Sequence, residues 1–202
     1  MPGESAVPSR ALGKIKADAV AASISATALV LFDEKGFDAV TADEIASASG
    51  ISRRSLFRYF ATKEDIVVAG HAAYGARIVD RVKARPTDED VWTSLRRGYD
   101  VLVEGVESDP IAAARTMRVV NSTASLRAHT LEKHAAWAVD LVPEIARRLG
   151  DAKARRLEAD ALTHASFACL DVALAHFTFA PGTSFRDKLD EAFGALRPGH
   201  AR

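Results

Sequence analysis

Apolar positions recur at helical spacing along almost the whole chain, and no run shows sustained alternation of apolar and polar residues with β-branched enrichment. The pattern predicts an all-α protein. The first helix is expected over 17–35, where Ile24, Ala28, Leu31 and Phe32 fall on one face and Gly36 ends it. A short helix starts at Thr41, because Thr41-Ala42-Asp43-Glu44 has the capping-box pattern of a Thr cap with Glu three residues on. Ser49-Gly50-Ile51 breaks it after two turns. Ser52 then caps a third helix to about Phe60. Thr62 caps a fourth, with Glu64 and Asp65 in the first turn, where the helix dipole favours acids. The spacing predicts that this fourth helix runs over 63–84 and is followed by helices over 88–107 and 110–121. The last of these opens on Pro110 at a first-turn position. Further helices are expected over 124–149 with a kink at Pro143, then 152–179 and 184–196, nine in all. Residues 1–16, with Pro2, Gly3, Pro8 and Gly13, are read as a flexible basic arm.

Composition narrows the class. The chain has 202 residues, 48% of them hydrophobic and 27% charged, with 27 basic and 27 acidic side chains. That profile is globular, and overall neutrality excludes a uniformly basic coat. Cys169 is the single cysteine, so an intrachain disulfide or a Cys-pair zinc site is excluded and a cytoplasmic setting is expected. The N-terminus shows no signal-peptide core. Residues 161–180 are apolar over a span-like length, but Asp171 near their middle would be costly in lipid. A helix buried in protein or at a subunit interface is expected there, not a membrane span.

Local charge changes the picture. Between 49 and 63 lie Arg53, Arg54, Arg58 and Lys63 and no acid, so a cationic surface is hidden by the neutral total. Two short helices joined by Ala48-Ser49-Gly50 make a helix-turn-helix. Ile45, Ile51 and Leu56 supply its apolar joint. Its second helix presents Ser52, Arg53, Arg54, Ser55, Arg58 and Tyr59 to a duplex. No phosphate loop, nucleophile elbow or paired metal motif is present, so no enzyme activity or cofactor is expected. His129 with His134, and His164 with His176, are spaced five and twelve apart. Neither pair shares a face at i and i+4, and no metal site is expected.

Over about residues 17–66 the chain resembles the TetR family of bacterial regulators. The resemblance rests on Ala28, Leu31-Phe32, Gly36-Phe37, Thr41-Ala42-Asp43-Glu44-Ile45-Ala46, Ser49-Gly50-Ile51-Ser52, Leu56-Phe57-Arg58-Tyr59-Phe60 and Lys63-Glu64-Asp65. It implies a three-helix helix-turn-helix DNA-binding domain over 17–62, and a helical bundle for ligand sensing and dimerisation over 63–202. It implies that Thr41 and Lys63 touch phosphates, that Arg53, Arg54 and Arg58 reach bases, and that Tyr59 reaches backbone. The arginine fork suits the two acceptors of guanine. Phe57, where the family often has Tyr, belongs to the DNA-facing set without a hydroxyl; with Phe60 it is also expected to pack and hold the third helix. Lys14 and Lys16, with Arg10, are expected to add phosphate or minor-groove contacts from the arm, positions that a solvated basic surface would also explain.

One recognition helix makes too few contacts for tight specific binding, so a homodimer on a palindromic operator is expected. Its interface would be a four-helix seam of the helices at 152–179 and 184–196. An unknown small-molecule effector is expected among Trp92, Tyr99, Met117, Leu126, Trp137, Phe167 and Leu170, residues that plain core packing would also explain. The run from Arg115 to Ala128, with Ser52-Arg53-Arg54, resembles a branch of TetR regulators that senses acyl-CoA-like ligands. The expected function is a repressor released by a small, mostly apolar ligand through the helix starting at Lys63; the alternative is a ligand-independent or activating DNA-binding regulator.

Overall fold

The computed structural model describes residues 9–69, 72–150, 153–179 and 182–197. Among these residues the regular elements are eleven α-helices. The chain divides into two compact units, Met1–Gly70 and His71–Arg202.

The first unit holds α1 (Ser9–Lys35), α2 (Ala42–Ala48), α3 (Arg53–Tyr59) and α4 (Lys63–Val68). Helix α1 begins eight residues earlier than the apolar pattern suggested, inside the stretch read as an arm. Ala11, Leu12, Lys14 and Lys16 are good helix formers, and they offset the cost of Gly13, about 1 kcal/mol relative to Ala. Gly36 ends α1 at φ 89°, with its N–H on the Phe32 carbonyl at 2.9 Å. Both halves of the capping box on α2 are formed. Thr41 Oγ1 accepts from the Glu44 N–H at 3.2 Å, and Glu44 Oε2 accepts from the Thr41 N–H at 2.9 Å. Glu44 also takes Lys35 Nζ at 2.8 Å, which ties α2 to the end of α1. The Lys35 hydrogen bond first, then those from Thr41, hold the Glu44 carboxyl down at about 2. Ile24, Ala28 and Phe32 of α1 are buried with Ile45, Leu56, Phe60 and Ile66. Ser25 Oγ donates to the Ile66 carbonyl at 2.7 Å.

The second unit holds α5 (Ala72–Lys83), α6 (Val91–Gly98), α7 (Asp100–Ser108), α8 (Pro110–Ser122), α9 (Ala124–Arg148), α10 (Arg156–Phe179) and α11 (Phe185–Ala195). Two expected helices are each divided. The run 63–84 holds two helices, α4 and α5, with residues 70 and 71 between them outside the described residues. The run 88–107 is broken at Tyr99, which turns at φ −77°, ψ −1°. There the tertiary structure overrides the pattern. Gly98 packs so close to α5 that a Cβ would lie 2.7 Å from Val82 Cγ2. The turn sends Tyr99 into the core with no exposure, where its hydroxyl meets Ser166 Oγ at 2.8 Å. Helix α9 runs on through Pro143. Around Tyr99 the core gathers Ile78, Leu95, Trp137, Leu141, Phe167, Leu170, Phe185 and Phe193. Among the described residues no helix is long and apolar enough to cross a membrane.

Candidate nucleic-acid interface

Helices α2 and α3 are joined by a turn that only a residue free of a Cβ enters cheaply. Gly50 sits at φ 67°, where an L side chain is strained. Its N–H reaches the Ser47 carbonyl at 3.1 Å, and the next N–H, of Ile51, reaches Ala46 at 3.0 Å. Ser52 then starts α3, its Oγ accepting from the Ser55 N–H at 3.1 Å. Leu56 is 1% exposed and anchors the rear of α3; Phe60 is buried just beyond it. The opposite face is left to solvent. Arg53, Arg54 and Arg58 are exposed there, with Ser52 exposed and Ser55 and Tyr59 half-buried at its margins. Leu56 therefore fixes the roll of the helix, and the arginines project from a rigid support.

Phe57 departs from the packing role given it by pattern. It is 47% exposed and lies beside Arg53, whose guanidinium carbon is 5.6 Å from the ring centroid. The side of α3 that Leu56 buries is one residue away, so Phe57 shares the arginine face. Arg58 stands similarly over Tyr59, at 5.4 Å. Such stacking holds the long side chains extended without consuming their N–H donors.

The fold also brings an acid to this face. Asp43 of α2 takes Arg53 Nη1 at 3.0 Å, with both side chains mostly exposed. An ion pair that open to water contributes at most about 1 kcal/mol and is screened by salt, so a nucleic-acid phosphate or base can displace it. Sequence reasoning missed Asp43 because it scanned the basic run for acids within the run only. A helix-turn-helix crossing puts the start of α2 beside the start of α3, and that crossing is the signal that would have found it.

Thr41 is exposed at the start of α2. Lys63 is half-buried, and its ammonium is already engaged. It donates to the carbonyl oxygens of Phe37 at 3.0 Å and Val40 at 2.9 Å and lies 4.7 Å from the centroid of the Phe37 ring. Lys16 is exposed on α1. The side chains of Lys14 and Arg10 lie outside the described residues.

Comparison with known proteins bears on the same segment. A family model described as bacterial regulatory proteins of the tetR family matches residues 24–69, which hold all of α2 and α3. A second, described as the MftR C-terminal domain, matches residues 89–201, more than half of the chain. The chain belongs to the TetR family. Among the relatives of this TetR protein is the protein named "Putative mycofactocin biosynthesis transcriptional regulator MftR" from Mycobacterium tuberculosis. It is 33% identical over 130 residues, 63% of this chain and 64% of that protein. The HTH-type transcriptional regulator TcmR of Streptomyces glaucescens is 28% identical over 61% of this chain and 57% of that protein. The matches thus span less than two thirds of either relative's length. Both are named as transcriptional regulators, not enzymes.

Solved structures share the TetR fold. The regulator FadR from Bacillus halodurans has a TM-score of 0.60 at 17% identity, covering 91% of this chain and 97% of that one. The FadR of Thermus thermophilus, solved in complex with lauroyl-CoA, has a TM-score of 0.56 at 20% identity, covering 86% and 91%.

In the body, the residues expected to line an effector site are mostly packed in the core. Trp92, Tyr99, Trp137, Phe167 and Leu170 belong to its central cluster, Leu126 is fully buried, and Met117 is half-buried. A cleft of about 660 Å³ opens elsewhere, where α7, α8, α10 and the start of α11 meet. Val106, Ile111, Ala114, Phe177 and Phe185 form its apolar wall, and Arg118 stands at its edge. None of the seven expected residues lines it. It is built from the ends of helices far apart in sequence, which periodicity does not register. Among the described residues no group of three or more His, Cys, Asp or Glu side chains is placed to hold a metal.

Proposed function

We propose that this TetR-family regulator is a cytoplasmic repressor. It binds a palindromic operator as a homodimer and is released when a small, mostly apolar ligand enters the body. The observation that carries the reading is the exposed cationic face of α3, Arg53, Arg54 and Arg58, braced from behind by buried Leu56. In the proposal α3 enters the major groove. The arginines read base edges; Thr41, Ser52, Ser55, Phe57 and Tyr59, with Lys14 and Lys16, contact backbone and sugar, while Lys63, its ammonium held by the Phe37 and Val40 carbonyls, braces the unit from within.

Homodimerisation through α10 and α11 is supported by their outward faces. Leu157 and Val172 of α10 and Leu196 just past α11 are more than half exposed, apolar area that a second copy would cover. The 660 Å³ cleft has the size of a small-molecule site, and its apolar wall sets the ligand class. The ligand acts by population shift: it favours a dimer conformation whose two readers no longer match the half-site spacing.

Selection of bound sequences from random DNA tests the central claim. A two-fold symmetric site is expected, with Arg53→Ala and Arg58→Ala each relaxing base choice by about 1–3 kcal/mol at one position per half-site. Monomeric protein indifferent to every duplex at low salt refutes the reading. Operator affinity unaltered by a ligand that fills the cleft refutes the release mechanism alone.

A further inference from the structure

A second, smaller cleft lies between α6 and α11, lined by Trp92, Thr93, Arg96, Arg97, Asp190, Phe193, Gly194 and Arg197. Its volume of about 190 Å³ is below the roughly 300 Å³ at which sites for drug-sized ligands begin. Three guanidinium groups share it with one carboxylate. Two of them, Arg97 and Arg197, are exposed on the rim, and Arg197 Nη2 donates to Thr93 Oγ1 at 3.2 Å. Asp90 reaches this rim only through Thr93, whose hydroxyl donates to it at 2.9 Å.

Arg96 is the fixed part of the site. It is 5% exposed, with Nε on Asp190 at 2.5 Å and Nη1 on Asp100 at 2.9 Å. Its Nη2 is enclosed and meets no acceptor among the described residues. Leaving a buried charged donor unpaired is costly. The two carboxylates fix the guanidinium plane and leave the hydrogen-bonding capacity of this third nitrogen unused. The floor is rigid: the Trp92 and Phe193 rings lie 4.6 Å apart, and Trp92 Nε1 donates to the Phe193 carbonyl at 3.0 Å.

We propose that this cleft binds a small oxyanion of phosphate size, with Arg96, Arg97 and Arg197 as its donors. The planar forks of arginine match the paired oxygens of a phosphate group. The volume admits the ion and its bound water but no large organic portion, so a phosphomonoester would enter by its phosphate alone.

The test is thermal melting of the full chain at constant ionic strength, with chloride exchanged for inorganic phosphate in one arm and for glycerol phosphate in another. At about 20 mM phosphate and a millimolar Kd, Tm should rise by about 4 °C. The double variant Arg97→Gln/Arg197→Gln, whose changes are on exposed side chains, should fold and bind operator as before and lose the rise. Stabilisation by both anions assigns the site to any phosphate group; stabilisation by inorganic phosphate alone assigns it to the free ion. The proposal is overturned by three results: no rise in the native chain, a rise that survives in the double variant, or one that disappears in Arg53→Ala/Arg54→Ala/Arg58→Ala. The last would place the anion on the α3 face.

Discussion

Lys63→Met separates two roles for one side chain. The TetR resemblance makes Lys63 a phosphate contact, whereas the structure spends two of its three N–H donors on the Phe37 and Val40 carbonyls. Those carbonyls lie in the connection from α1 to α2, so Lys63 braces that connection from the start of α4. A hydrogen bond from a charged donor contributes about 1.5–3 kcal/mol when buried. Lys63 is half-buried and water can replace it, so about 1 kcal/mol for each bond is the better figure. The Phe37 ring adds about 0.5 kcal/mol, which a methionine thioether against the same ring replaces. Methionine keeps the apolar stem and removes the donors, which predicts a loss of about 2 kcal/mol confined to the first unit. Amide hydrogen exchange on the full chain is the assay, read at residues 36–45. Their protection should fall by about 30-fold, while the slope of log K against log salt for operator binding stays as in the native chain. Native protection, with a slope shallower by about one, would refute the brace and make Lys63 a phosphate ligand.

Other outcomes follow from particular contacts. Asp43→Asn removes the acid beside Arg53 and should tighten binding to random duplex more than to operator, measured by competition at two salt concentrations. Gly75→Ala places a Cβ 2.7 Å from Trp137 Nε1 and closer still to its Cδ1; overpacking of about 1–3 kcal/mol should show as a lower Tm. His134 and Asp171, 3.7 Å apart, make opposed contributions in acid. Burial first, then the charges of Lys133 and His164, push the His134 imidazole down to about 4. The unfolded chain therefore takes up that proton first, and stability falls as pH drops from about 6.5 to 4. Burial pushes the Asp171 carboxyl up to about 6 against the pull of Lys133; the folded chain takes up that proton first, which adds stability between about pH 6 and 4. Asp171→Asn should therefore steepen the acid loss, seen as a larger drop in urea midpoint from pH 7 to 4.5, and an unaltered drop would contradict the assignment.

Local chemistry determined the helix-turn-helix unit. The Thr41 and Ser52 caps, the Gly50 turn and the basic run on α3 each act through residues no more than five apart, where sequence spacing is spatial spacing. The capping box of α2 and the cap of α3 accordingly stand where the pattern placed them. What the tertiary structure decided lies between elements. Asp43 meets Arg53 because α2 crosses α3, and Lys63 meets the Phe37 and Val40 carbonyls across more than twenty residues of chain. Tyr99 breaks an otherwise periodic helix because its ring has a place in the core and its hydroxyl a partner in Ser166. The aromatic residues that sequence offered as a ligand wall fill that same core. Burial rewards large apolar side chains wherever they can pack, and whether their surroundings close into a core or leave a cleft depends on how distant helices meet, which no local pattern encodes.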